Sequence, residues 1–98
     1  MSVDRIILRR IAMERERQNT LVAEGKLPFN CYTRGVPPGD KLMVLAEEAG
    51  EVAKAAYDCK YGAPEGDTCR KLRHLQIELI QLAAVAAAWA ESIEERLS

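Results

Sequence analysis

At 98 residues with 48% apolar content, the chain has room for one hydrophobic core and no second domain. A net charge of −1 gives no broad field for nucleic acid, and the longest apolar run, residues 77–90, is too short to cross a bilayer and contains Glu78. Arg5, Arg9 and Arg10 interrupt the early apolar segment, so no leader is read, and the odd number of cysteines, Cys31, Cys59 and Cys69, is expected as free thiols in a cytoplasmic protein.

A first helix is expected over residues 1–22, opened by Ser2 and Asp4, with Ile6, Ile7, Ile11 and Met13 as its apolar contacts. From Glu14 to Asn19 it is polar all round and reads as a solvated helix end laced with ion pairs. Residues 23–40 hold Gly25, Pro28, Gly35, Pro37, Pro38 and Gly39, which end that helix and form a long loop. Its Lys26, Phe29, Tyr32 and Arg34 suit either a packed crossover or contacts to a base and a phosphate.

Asp40 is expected to cap a second helix over 41–60, on which Leu42, Leu45, Ala49, Ala53 and Ala56 share one face and form its buried side. Glu48 and Glu51, three apart, project side by side, and Glu48 shares a stripe with Val44, Val52 and Ala55. Carboxylates at the edge of an apolar face repel one another and lose hydration, which calls for a cation. After a turn at Ala63-Pro64-Glu65-Gly66, Asp67 or Thr68 caps a last helix over 67–96, apolar on every side of residues 77–90 except at Glu78 and Gln81. Glu78 shares its stripe with Leu82, Val85 and Trp89, so a carboxylate enters the interior, and bound cations shared by Glu48, Glu51 and Glu78 would offset the cost. Lys71 and His74 lie on the same stripe one to two turns before Glu78, roughly 6 to 10 Å along the axis, where a cationic group suits phosphates. Cys31, Cys59, Cys69 and His74 lack the two-residue pairs of zinc sites, and small thiols around a helix turn are the expectation.

With one Trp, one Phe and three Tyr, the interior must be built from Leu, Ile, Val and Ala. The expected architecture is an all-α bundle of three to four helices, with more apolar surface than one small chain covers and hence a homo-oligomer, dimer or tetramer.

Glu47-Glu48-Ala49-Gly50-Glu51 on one helix and Glu78-Leu79-Ile80-Gln81 on the next resemble the paired Glu-Glu-x-x-Glu and Glu-x-x-Asp elements of the MazG-like all-α nucleoside triphosphate pyrophosphatases. The similarity in order and spacing runs from about Lys41 to Trp89, and Gln81 stands where the family usually has Asp. The resemblance implies hydrolysis of a nucleoside triphosphate, ribo or deoxy, to the monophosphate and pyrophosphate, with Mg²⁺, or Mn²⁺, as cofactor. It implies metal ligation by Glu48, Glu51 and Glu78, with Gln81 in the fourth position and Glu47, beside Glu48, as an extra ligand or a water-holding base. Lys71 and His74 are the candidate phosphate contacts. An amide brings no charge to a magnesium shell, so the alternative is a helical nucleotide-binding or protein-interaction module that kept the bundle and lost turnover.

Overall fold

The computed structural model describes residues 2–61 and 68–98. The described residues form three helices, α1 (Val3–Ala23), α2 (Pro38–Tyr61) and α3 (Thr68–Leu97). The expected turn at residues 63–66 and the cap Asp67 lie outside the described residues, and the last helix is continuous, with no fourth among the described residues. No helix among the described residues is long and apolar enough to cross a membrane.

Local signals explain the boundaries. Past the end of α1, Gly25 adopts φ +74°. Its N–H donates to the Val22 carbonyl and the Lys26 N–H to the Leu21 carbonyl, the paired bonds of a Schellman stop, which needs the left-handed residue that glycine supplies. At α2 the start falls earlier than the Asp40 cap expected: Pro38 is the first helical residue, and the Pro37 carbonyl receives the N–H groups of Asp40 and Lys41. Proline suits the first position because its φ is preset and its missing N–H would have no helical partner there. Asp40 instead charges the first turn of the helix, favourably for its dipole.

Helix α3 is the centre, flanked on one side by α2 and on the other by α1. Ala84 and Ala88 are fully enclosed, and the absence of longer side chains at these positions lets the neighbours approach. Ile80 and Val85 are buried beside them, and Val44, Leu45, Tyr32 and Trp89 pack around Cys31, Val85 and Ala88. Polar ties fix the arrangement: Arg10 donates to Gln76 at 2.8 Å, Arg15 to Glu91 at 3.1 Å, and Lys41 to the Ser92 hydroxyl at 3.2 Å.

The face of α2 that turns inward differs from the expectation. Lys41, Val44, Leu45, Glu48, Val52, Ala55 and Cys59 are buried or half-buried, whereas Leu42, Ala49, Ala53 and Ala56 are exposed, Leu42 by 56%. The buried stripe is the one that carries Glu48. Long polar side chains enter it because their aliphatic stems pack like hydrocarbon while the heads find their own surroundings. The opposite stripe is left facing outward together with Met43 of α2 and Leu79 and Ile93 of α3.

The close approach at Ala88 makes a direct prediction. Ala88→Leu should lower the unfolding free energy by about 1–3 kcal/mol through overpacking, whereas Ala86→Leu, at an exposed position of the same helix, should stay within about 0.5 kcal/mol. Urea denaturation of both variants checks this, and equal effects would place the tight contact elsewhere.

Candidate acidic site

The polar segment of α1 is not a solvated end. Ile7, Ile11, Glu14, Gln18 and Leu21 follow one another at helical spacing, and this stripe faces inward: Gln18 is buried and the other four are half-buried. Arg15 beside it is also buried. Glu14 is held by Arg17 through two bonds of 2.8 and 2.7 Å and accepts a third from Gln18 at 3.3 Å. This constellation was missed because residues 14–19 are uniformly polar; the available signal was the 7, 11, 14, 18 repeat continuing through them.

Between α1, the crossover, α2 and α3 lies a cavity of about 300 Å³. Glu14, Arg17 and Gln18 line it from α1, Glu47 and Glu48 from α2, and Gln81 from α3. Phe29 and Asn30 close the crossover side. Asn30 holds that segment in shape: its side-chain carbonyl accepts the Tyr32 N–H at 2.8 Å, and its amide donates to Asn19 at 2.9 Å. The crossover is thereby ordered by an Asx turn, and its candidate contacts divide. Phe29 faces the acidic cavity, Tyr32 and Arg34 line a different pocket, and Lys26 is exposed with a 3.3 Å contact to Glu24.

Glu48 is the least compensated group of the site. Its Oε2 is enclosed and has no hydrogen-bond partner. Burial pushes its carboxyl above the ordinary value of 4.5, and the neighbouring charges of Glu78, Glu47, Glu51 and Glu14 push it further in the same direction. Five carboxylates from three helices therefore share one electrostatic neighbourhood, with Arg17 as a counter-charge whose own pKa is raised by Glu14 first and also by Glu48. An orphaned carboxylate oxygen among further carboxylates is the donor chemistry a hard divalent cation takes.

The other candidate residues take these places. Glu78 is 12% exposed at its side chain, and His74 Nε2 stands 3.8 Å from its Oε1 one turn earlier, as their shared stripe requires. Glu51 is exposed, on the same helix as Glu48 and within its electrostatic reach. Gln81 lines the cavity, and also a shallower pocket with Arg10, Met13 and Ile80. Lys71 and His74 line a separate pocket with Arg70, Asp58 and Ala55, to one side of Glu78. Among the described residues, no three His, Cys, Asp or Glu side chains stand at the mutual distances of a formed metal shell.

The raised Glu48 pKa fixes a sign for pH dependence. A carboxyl whose folded pKa lies above its unfolded one binds more protons when folded, so its contribution to stability is greatest at low pH. That contribution falls as pH rises from the unfolded value through the folded one. In metal-free buffer Glu48→Gln should therefore stabilise the protein near neutral pH, with the gain shrinking toward acid. Urea midpoints measured with a chelator from about pH 4.5 to 7.5 test this, and a gain independent of pH would mean that the charge of Glu48 is not the cause.

No family model, no curated protein and no solved structure matches this chain.

Proposed function

We propose that the protein is a divalent-cation-dependent nucleoside triphosphate pyrophosphohydrolase of the MazG-like kind. The observation that carries the reading is the buried, partnerless Oε2 of Glu48 within a cluster of carboxylates, bordered by Gln81 at the position of the second motif. A bundle with no ligand to hold would be more stable with an apolar residue in that place. The paired motifs on α2 and α3, the two helices that pack against each other, support the same reading.

In this reading Glu48, Glu51 and Glu78 offer oxygen ligands and Gln81 contributes its amide carbonyl. A bound Mg²⁺, or Mn²⁺ in its place, would supply neutralisation of the triphosphate charge. Glu47 holds the attacking water and takes its proton. Water oxygen bonds to the α-phosphorus, the bond from that phosphorus to the α–β bridging oxygen breaks, and pyrophosphate leaves with the electron pair. His74, 3.8 Å from Glu78, and Lys71, which shares its pocket, meet the departing phosphates. Transfer of this type depends on positioning and charge more than on covalent help, which suits a site without a nucleophilic serine or cysteine.

The same reading has the chain work as a homo-oligomer in the cytoplasm. The exposed stripe of Leu42, Ala49, Ala53 and Ala56, with Met43 beside it, is the surface that a second copy would cover.

Two outcomes are expected. Pyrophosphate should be released from at least one member of a panel of normal and modified nucleoside triphosphates with Mg²⁺ or Mn²⁺, and Glu48→Gln and Glu78→Gln should each lower the rate by about a hundredfold or more. Separately, Mg²⁺ or Mn²⁺ should raise the melting temperature in the absence of nucleotide, by an amount equivalent to about 2.7 kcal/mol at a hundred times its Kd, and Glu48→Gln should abolish the rise. Metal binding without release from any substrate would favour the catalytically silent module and make Gln81→Asp the informative variant. Neither binding nor release would end the metal-site reading.

A further inference from the structure

We propose that a second pocket, built around the buried ammonium of Lys41, binds a small phosphorylated molecule. It holds about 600 Å³ and is lined by Lys41 from α2, by Tyr32 and Arg34 from the crossover, and by Trp89, Ser92 and Arg96 from α3. Lys41 is 6% exposed. Its Nζ donates to the Ser92 hydroxyl at 3.2 Å, and that hydroxyl donates in turn to the Trp89 carbonyl at 2.7 Å. The ammonium has three N–H groups and a neutral partner for one. Among the described residues, no carboxylate lies within 4.0 Å of Lys41, Arg34 or Arg96.

Burying an ammonium without an anion is costly, and an apolar residue of similar length would fill the same space without that cost. The one acid on the wall, Glu95, accepts the Tyr32 hydroxyl and is exposed. Three cations against one carboxylate leave the pocket with an excess of positive charge. Such an excess, with N–H and O–H donors at its floor, matches the oxygens of a phosphate group. Tyr32 and Trp89 offer apolar flanks for the rest of the molecule.

This pocket is separate from the acidic cavity. Lys41 precedes Glu48 by seven residues, about 10 Å along α2, and the two cavities have no lining residue in common. The proposal does not rest on the pyrophosphohydrolase reading and survives its failure.

Trp89 is the one tryptophan of the chain, so its fluorescence reports on this pocket directly. The experiment titrates the intact protein with inorganic phosphate and, in parallel, with adenosine monophosphate, at constant ionic strength and with a chelator present. Lys41→Met, Arg34→Gln and, as a control at an exposed position outside both cavities, Arg9→Ala are titrated alongside. Absorption by the adenine ring is corrected with free tryptophan. The expected result is a saturable change in the unaltered chain, weakened about tenfold or more in Lys41→Met, weakened less in Arg34→Gln, and unaltered in Arg9→Ala. Tighter binding of the nucleotide than of phosphate would show that the aromatic walls contribute, and equal binding would assign the site to the phosphate group alone. The proposal is overturned by no saturable change with either probe, or by a change that persists in Lys41→Met, or by one weakened as much in Arg9→Ala. Should Lys41→Met not fold, Arg34→Gln together with Arg96→Gln, both at exposed positions, carries the test on the same terms.

Discussion

Small side chains on α3 set the terms for everything else. Two helices can flank a third only where its surface allows their backbones to come near, and Ala84 and Ala88, both fully enclosed, provide that surface. Once α2 and α1 are seated against this helix, their inward stripes are fixed, and with them Glu48 on one side and Glu14 on the other. The acidic cavity is therefore a product of helix packing, assembled from elements that each bring an acid or amide to the same junction.

Charge is sorted along α2. Near its start the helix buries a lysine, and two turns later it buries part of a glutamate, each on the stripe that faces α3. Neither has an opposite charge in contact with it among the described residues. The two groups are too far apart to neutralise one another across about 10 Å, so each presents its own unsettled charge. Between them Val44 and Leu45 pack on the core around Cys31, whose thiol is pushed up by burial despite the nearby cations Lys41 and Arg15. The molecule thus keeps an acidic and a basic enclosure apart by about two turns of apolar packing.

Much of the fold was legible in the sequence. The three helices, the break at Gly25 and the inward course of Glu78 follow from apolar spacing and from Gly and Pro placement. The orientation of α2 was not legible. Leu42, Ala49, Ala53 and Ala56 make the more uniformly apolar stripe, yet the stripe carrying Lys41 and Glu48 is the one that meets α3. Hydropathy alone treats those two as surface residues and gives no credit to their aliphatic stems. Glu14 and Gln18 were hidden for the same reason, since a polar residue continuing an apolar stripe is invisible unless position is weighed before type. The start of α2 was misjudged because an aspartate cap and a proline at the first helical position are competing signals, and here the proline prevails.

The long connection between α1 and its packing partner has a kinetic meaning. Arg10 reaches Gln76 and Arg15 reaches Glu91 across 66 and 76 residues of chain, whereas α2 and α3 are joined by a short segment. Closing the shorter loop costs less chain entropy, so the α2–α3 contacts form at a smaller entropic cost than those that seat α1. The most buried side chains of α1 are the polar ones of Arg15 and Gln18, and its inward apolar residues Ile7, Ile11 and Leu21 are only half-buried. The acidic cavity takes one wall from α1, so its integrity depends on the docking of that helix, whereas the pocket around Lys41 draws its walls from the crossover, α2 and α3.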